Sequence, residues 1–473
     1  MSSSYESVKA AYEAAGQGHV FTFWDTLSAA DQESLLAQLA AIDPAEISQI
    51  ADTVIVNPAP VDESEAKLEP LPETATASLL DQEETEAAEW YQAGLDLIRK
   101  NSVAVILLAG GQGTRLGSSA PKGCYDVGLP SHKSLFQLQA ERIAKVQQLA
   151  GPGTVVPWYI MTSGPTRGPT EQFFKDNGYF GLDAANVVFF EQGVLPCLTK
   201  EGKIILETPA KVAVAPDGNG GIYKALWKSG VLADLKQRGI EHLHTYCVDN
   251  CLVKVADPVF LGWAQARKLD IGTKVVRKRD ATESVGLIVS KNGRPGVIEY
   301  SEISADLAAQ ETAEGLLKFR AANIVNHYYS ASFLNGIPTW PGSALPYHIA
   351  HKKIPYVDLA TGNVDSKPTT PNGIKLEQFV FDVFPTLEFS QFGSLEVYRA
   401  REFSPLKNAP GSKEDGPETS RADLLKESTR WLQAAGAHIA ADVQIEVSPL
   451  TSYGGEGLDK FNGVEFSDSL GQI

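Results

Sequence analysis

Apolar positions along this chain alternate between unbroken runs and helical spacing. Val103 to Leu108 is a continuous apolar run, the pattern of a parallel strand buried on both faces. Similar strand-like runs lie at 155–162 (VVPWYIMT), 187–190, 241–248 (EHLHTYCV) and 274–277. Between them the spacing predicts helices over 134–149, 170–177, 222–238 and 258–269. Strands alternating with helices imply an α/β fold: a doubly wound, mostly parallel, Rossmann-like sheet. The segment 284–303, SVGLIV, a turn containing KNGRPG, then VIEYSEI, predicts a hairpin that makes the sheet mixed.

The flanks differ. The first 55 residues read as helices, with Ser28 as an N-cap ahead of Asp31 and a stripe of Leu35, Leu36 and Leu39. Residues 57–80, rich in Pro, Glu and Ala, predict an extended connection, and a helix over 82–99 carries Trp90, Tyr91, Leu95 and Ile98. SPLKNAPGSKEDGPETS (404–420) has the composition of a mobile loop. An amphipathic helix at 420–435 and a short β-rich segment at 443–453 follow it. The expected division is an N-terminal helical domain with linker at 1–98, a central catalytic domain at 99–400 and a small C-terminal domain at 401–473.

A length of 473 residues suits two or three domains, and 43% hydrophobic with 21% charged residues is ordinary globular composition. The net charge of −17 argues against a broad nucleic-acid surface, so no nucleic-acid partner is expected. Any site for a polyphosphate must concentrate its cations locally against that field. Cys124, Cys197, Cys247 and Cys251 form no CxxC pair, which points to reduced thiols; Cys124 could be reactive, although packing is the plainer role. No apolar run approaches about 20 residues and no signal peptide is evident, so a cytoplasmic protein without a membrane partner is expected.

The chemistry concentrates at 103–122, VAVILLAGGQGTRLGSSAPK. A strand ending in Gly110, Gly111 and Gly113 exposes backbone N–H groups to a phosphate, with Arg115 and Lys122 beyond to balance its charge. A Walker loop is excluded because Lys122 follows Pro121 instead of ending GxxxxGK. The dinucleotide fingerprint fails at Leu116, and no ribose-binding acid ends a strand about 20 residues later.

LAGGQGTRLGSSAPKG (108–123) resembles the signature of nucleotidyl-diphosphosugar pyrophosphorylases. APDGNGGIYKAL (215–226), YCVDNCLVKVADP (246–258), VIEYSEIS (297–304), ANIVNHYY (322–329), NGIKLEQFVFD (372–382) and SPLKNA (404–409) narrow the resemblance to eukaryotic UDP-N-acetylglucosamine pyrophosphorylases. The resemblance implies a Mg²⁺-assisted, in-line attack of N-acetylglucosamine 1-phosphate on the α-phosphate of UTP. UDP-N-acetylglucosamine and pyrophosphate are formed without a covalent intermediate. Arg115, Lys122 and Lys407 are the implied catalytic cations. Leu108, Ala109, Gly110 and Gly111 would hold the uridine, Gln192 would read the uracil edge, and Gly218 and Asn219 would meet uridine and sugar. Asp249 would hold Mg²⁺; Glu299, Tyr300 and Asn323 would bind the sugar, and Lys375 a nucleotide phosphate. Without the resemblance, DGNGG is a turn before a helix, Gln192 a surface amide and His327 a core histidine. A monomer is expected, with a dimer as the alternative. The rival readings are the same chemistry on N-acetylgalactosamine or glucose 1-phosphate, a nicotinamide oxidoreductase using GxGxxxG, and a non-catalytic sugar-nucleotide binder.

Overall fold

The computed structural model describes residues 4–58, 67–80, 84–341, 345–468 and 471–473. They form two compact units. The first is Met1–Glu65, Gln192–Ile222 and Pro341–Asp382; the second is Ala66–Glu191, Tyr223–Trp340 and Val383–Ile473. These units do not follow cuts at 98/99 and 400/401, because each core is closed by segments distant in sequence. In the first unit Tyr12, Leu35 and Leu39 of the N-terminal helices pack with Leu198, Val212 and Ile374 in one apolar cluster. The helices there are Tyr5–Ala14, Ala29–Ala40 and Pro44–Ala51, and Ser28 caps the second by accepting from the Asp31 N–H.

The second unit is built on a mixed sheet. Its main path uses β1 (Thr76–Ser78), β2 (Val103–Leu108), β3 (Trp158–Thr162), β4 (Val187–Glu191), β5 (His242–Cys247), β6 (Ile271–Arg277), β7 (Ala321–Ser330) and β8 (Phe392–Glu396). The order is β1-β8-β6-β7-β5-β2-β3-β4. Every neighbouring pair is parallel except the two made by β7, which runs antiparallel to β5 and β6. The sheet is therefore mostly parallel and mixed, as expected. Residues 103–108 are all buried, so burial on both faces accounts for the unbroken apolar run. The predicted hairpin forms from Leu287–Lys291 and Arg294–Ile298, and Leu287 joins it to β7 opposite Ala322.

Three local expectations are corrected and one is met. The helix expected over 222–238 is two, Ile222–Lys228 and Val231–Gln237, because Gly230 takes φ +83° between them. Within 57–80, of which 59–66 lie outside the described residues, Leu68–Glu69 pairs with the hairpin strand and β1 with β8. Strands of two and three residues leave too little periodicity to read. The helix expected over 82–99 is met by Glu84–Arg99, residues 82 and 83 lying outside the described set. In 443–453, Val443, Ile445 and Val447 bury an alternating face, and the pairing there is one parallel bridge, Glu446 with Gln472, flanked by backbone hydrogen bonds from Glu446 and Ser448 to residues 471–473; residues 469 and 470 lie outside the described set. Alternation describes the packing of that segment, and its ladder among the described residues is too short to make a regular strand.

Candidate functional site

The bend after β2 is tied down around an open backbone. Ala109 N–H donates to the Met161 carbonyl at 2.8 Å, and Ser163 Oγ donates to the Gly110 carbonyl at 2.7 Å. Gly113 N–H reaches the Ala120 carbonyl at 3.0 Å and Lys122 N–H the Gly111 carbonyl at 3.2 Å, closing the loop across its base. The N–H groups of Gly110 and Gly111 have no hydrogen-bond partner among the described residues. A Cβ added to Gly111 would meet nothing within 4 Å, so the space beside this backbone is clear. Two bare donors at the carboxyl end of a parallel strand suit an anion. Leu116, packed with Val127, Leu135 and Leu406, anchors the short turn Thr114–Leu116 that carries Arg115. Arg115 itself is exposed and has no ion-pair partner among the described residues.

The end of β5 lies beside this bend. Cys247 pairs with Leu108, and Val248 N–H donates to the Leu108 carbonyl at 3.2 Å, so Asp249 follows directly. Leu406 N–H donates to the Asp249 carbonyl at 2.9 Å, and Lys122 Nζ donates to the Leu406 carbonyl at 2.9 Å. This brings Asp249, Lys122 and the segment before Lys407 together. Burial and Asp249 push the Cys247 thiol up, against the pull of Lys407 and Lys122. Lys407 is exposed, and its N–H and that of Asn408 donate to the Asp415 carbonyl at 2.7 and 2.8 Å, closing the loop. Among the described residues no hydrogen bond or ion pair ties Arg115 to this cluster.

Residues that the sequence did not flag hold the cluster. Asn250 Nδ2 donates to the Glu402 carbonyl at 2.7 Å, and Asn250 Oδ1 accepts from Ser404 N–H at 3.0 Å. The Glu402 carboxylate shares the fully buried Lys274 ammonium with Asp257. Burial works against the charge on Lys274, but Asp257 and Glu402 outweigh it and its pKa is raised. Removing one partner of such a network leaves an uncompensated buried charge. Asn250 stood within YCVDNCLVKVADP without a role of its own; Glu402 and Lys274 gave no local signal.

Glu299 and Asn323 meet at Gly286. Asn323 N–H donates to the Gly286 carbonyl at 2.8 Å, and Glu299 Oε1 lies 3.1 Å from where a Gly286 Cβ would stand. Tyr300 is next to them in sequence and 53% exposed.

In the first unit, Gln192 Nε2 donates to the Gly218 carbonyl, which leaves its Oε1 to accept. Gly218 has φ +84°, and a Cβ there would stand 2.2 Å from the Gln378 carbonyl oxygen, so only glycine fits. Val380 N–H donates to Asn219 Oδ1 at 2.9 Å and Gly220 N–H to the Gln378 carbonyl at 2.8 Å. Lys375 lies on Gly373–Glu377, the strand that leads into that segment. The buried Asp217 carboxylate fills the space where side chains at Gly193 and Gly221 would be, a packing role that sequence reasoning missed.

All four cysteines are free. Burial pushes the Cys124 and Cys197 thiols up to about 11 and Cys251 up to about 12, so the thiolates needed for reactivity are absent near neutrality. His327 is fully buried and burial pulls it down to about 3. A neutral core histidine is what it is. Among the described residues no group of three or more His, Cys, Asp or Glu could hold a metal ion. No helix there is long and apolar enough to cross a membrane.

A family profile described as UTP–glucose-1-phosphate uridylyltransferase matches residues 57–449. The UDP-N-acetylglucosamine pyrophosphorylase of Saccharomyces cerevisiae is 51% identical over 464 residues, covering 96% of this chain and 97% of that protein. UDP-N-acetylglucosamine diphosphorylase 2 of Arabidopsis thaliana is 42% identical, covering 94% and 89%. The crystal structure of the uridine diphosphate N-acetylglucosamine pyrophosphorylase of Trypanosoma brucei in complex with inhibitor superposes with a TM-score of 0.82 at 32% identity, covering 96% of this chain and 93% of that one. With four-fifths of its length matched by the profile and such relatives across nearly all of it, this chain belongs to the UTP–glucose-1-phosphate uridylyltransferase family.

Proposed function

We propose that this protein is a UTP:N-acetyl-α-D-glucosamine-1-phosphate uridylyltransferase, forming UDP-N-acetylglucosamine and pyrophosphate. The observation that carries the reading is the open backbone at Gly110 and Gly111 beside Asp249, Lys122 and the Lys407 segment. The names of its relatives point to the same product. The nucleophile, a sugar phosphate, is already anionic, so neither a general base nor a covalent intermediate is needed. What the site must do is position two repelling anions and neutralise their charge.

The chain's own residues divide that work. The Gly110 and Gly111 N–H groups donate to the nucleotide. Lys122, fixed through the Leu406 carbonyl, and Lys407 balance phosphate charge near Asp249. Arg115, exposed and unpaired, meets the leaving end of the triphosphate. Gln192 Oε1 accepts from uracil N3–H, and Asn219 keeps its amide N–H groups for donation because its oxygen already accepts from Val380. Glu299 and Asn323 offer acceptor and donor to the sugar, with Tyr300 beside them and Lys375 facing a nucleotide phosphate. A single carboxylate, Asp249, fits Mg²⁺, which takes one or two protein carboxylates and keeps waters and phosphate oxygens. Bound there, Mg²⁺ would neutralise triphosphate charge. Four free thiols support a reducing, cytoplasmic location.

Pyrophosphate release from UTP with Mg²⁺ tests the reading across N-acetylglucosamine, N-acetylgalactosamine and glucose 1-phosphates. The first should give the highest kcat/KM. No release with any of the three overturns the proposal.

A further inference from the structure

The bend after β2 is held by backbone bonds on either side of one peptide, Gly110–Gly111. Ala109 N–H donates to the Met161 carbonyl before it, and Lys122 N–H to the Gly111 carbonyl after it. The Gly110–Gly111 peptide itself is held by a side chain, the Ser163 hydroxyl, which lies 2.7 Å from the Gly110 carbonyl. A peptide between two glycines is the freest to flip, because the rotation changes ψ of one and φ of the other and neither carries a Cβ. The hydrogen bond decides which way it lies. A carbonyl can only accept, so Ser163 spends its one hydroxyl proton on Gly110. In a trans peptide the N–H points opposite to the C=O, so drawing the Gly110 carbonyl towards Ser163 turns the Gly111 N–H away from it. That N–H has no partner among the described residues, and the space beside Gly111 is clear. Flipped, the same peptide would offer an oxygen where the nucleotide needs a donor.

Ser163 is built to hold that direction. It is 6% exposed and follows β3, where the fully buried Thr162 hydroxyl donates to the Phe190 carbonyl at 3.1 Å. It caps the helix Gly164–Asp176, and its N–H donates to Thr166 Oγ1 at 2.9 Å. Thr166, also fully buried, has its hydroxyl 3.0 Å from Ser163 Oγ and 3.2 Å from the Ser163 carbonyl. With the Ser163 proton committed to Gly110, Thr166 is the donor in the contact between the two hydroxyls. Each bond in such a chain polarises the next. We propose that Ser163 is a positioning residue of the nucleotide site: backed by Thr166, its hydroxyl locks the Gly110–Gly111 peptide with the Gly111 N–H presented to UTP. Ser163 acts through the bend and not on the substrate, and its role rests on UTP being the nucleotide, as proposed above.

The test compares the full chain as wild type, Ser163→Ala and Phe174→Leu. Phe174 is fully buried in the same helix, so trimming it loosens the helix and lowers Tm without removing the bond to Gly110. Calorimetric titration should show UTP binding about tenfold weaker in Ser163→Ala, the worth of about one hydrogen bond, and unchanged in Phe174→Leu. KM for N-acetylglucosamine 1-phosphate at saturating UTP should stay within about twofold of wild type in both, since the effect is confined to the nucleotide. Crystals of Ser163→Ala should show the Gly110–Gly111 peptide flipped or in two orientations. A single unflipped peptide in those crystals, UTP binding equal to wild type, or equal weakening in Phe174→Leu overturns the proposal. A wild type that binds UTP yet releases no pyrophosphate would sink the proposed activity alone, because the titrations and crystals still judge Ser163.

Discussion

The bend at Gly110–Gly113 and the turn at Asp217–Gly221 are both rich in glycine, yet glycine serves opposite ends in them. At the bend, the position of a Gly111 Cβ is empty space, and the neighbouring N–H groups have no partner among the described residues. At the turn, the chain is pressed against its own backbone: Gly218 sits at φ +84° against Gln378, and Asn219 and Gly220 are both bonded to residues 378–380. The first region keeps room for a ligand. The second uses its glycines to fix where Gln192 and Asn219 stand. Substitutions should therefore separate damage to function from damage to the fold.

The largest effect is expected at the turn. Gly218→Ala puts a methyl 2.2 Å from a carbonyl oxygen in a backbone conformation that disfavours it. It should lower folding stability by about 2–4 kcal/mol and kcat/KM by on the order of 10²-fold or more. Denaturant unfolding together with steady-state kinetics would show both losses, and a stable, inactive variant would contradict the packing account. Next comes Arg115→Ala. Removing an exposed guanidinium without an ion-pair partner should leave Tm within about a degree and cut kcat/KM roughly 10²–10³-fold. Full activity would remove Arg115 from the charge-balancing role. Gly111→Ala sharpens the contrast most cleanly. Nothing in the protein obstructs its methyl, so Tm should hold while kcat/KM drops about 10-fold or more, since a Cβ intrudes where the ligand approaches. Loss of stability equal to that of Gly218→Ala would erase the distinction between the two regions.

The same contrast explains what could be read from the chain. The bend was legible because its determinants are local: an apolar strand, three glycines and two cations within 20 residues. The parallel core strands were legible too, since burial on both faces writes a continuous apolar run. The turn was legible as a turn before a helix, but its role was not, apart from the family resemblance. Its meaning depends on pairings such as Gln192 with Gly218 and Asn219 with Val380, the second spanning 161 positions. The supports of Lys407 were invisible for the same reason, because Lys274 and Glu402 meet across 128 positions. The three-residue β1 and the segment 443–453 failed differently, one too short for a period and the other periodic but paired only briefly with residues 471–473.

The smallest effect comes from pH and concerns the sheet beneath the bend. His244 and His327 in β5 and β7 are fully buried, and burial pulls them to about 4 and about 3; no histidine of the first unit is fully buried. The tautomer of His244 is fixed, because its Nδ1 accepts from Ala256 N–H at 2.9 Å and its Nε2–H therefore donates to Asn326 Oδ1. Both rings fold neutral, whereas in the unfolded chain each binds a proton below about 6.5. The unfolded state then holds more protons, so their contribution to stability is present above that pH and is lost as pH falls through the window between the unfolded and folded values. Between pH 7 and pH 6 the loss is about 0.7 kcal/mol per histidine by that linkage. Thermal unfolding of wild type should shift down on acidification from pH 7 to 5.5, and His327→Gln should show a shallower slope. Equal slopes would mean that His327 is not held neutral in the fold, leaving His244 to carry the acid sensitivity of this core.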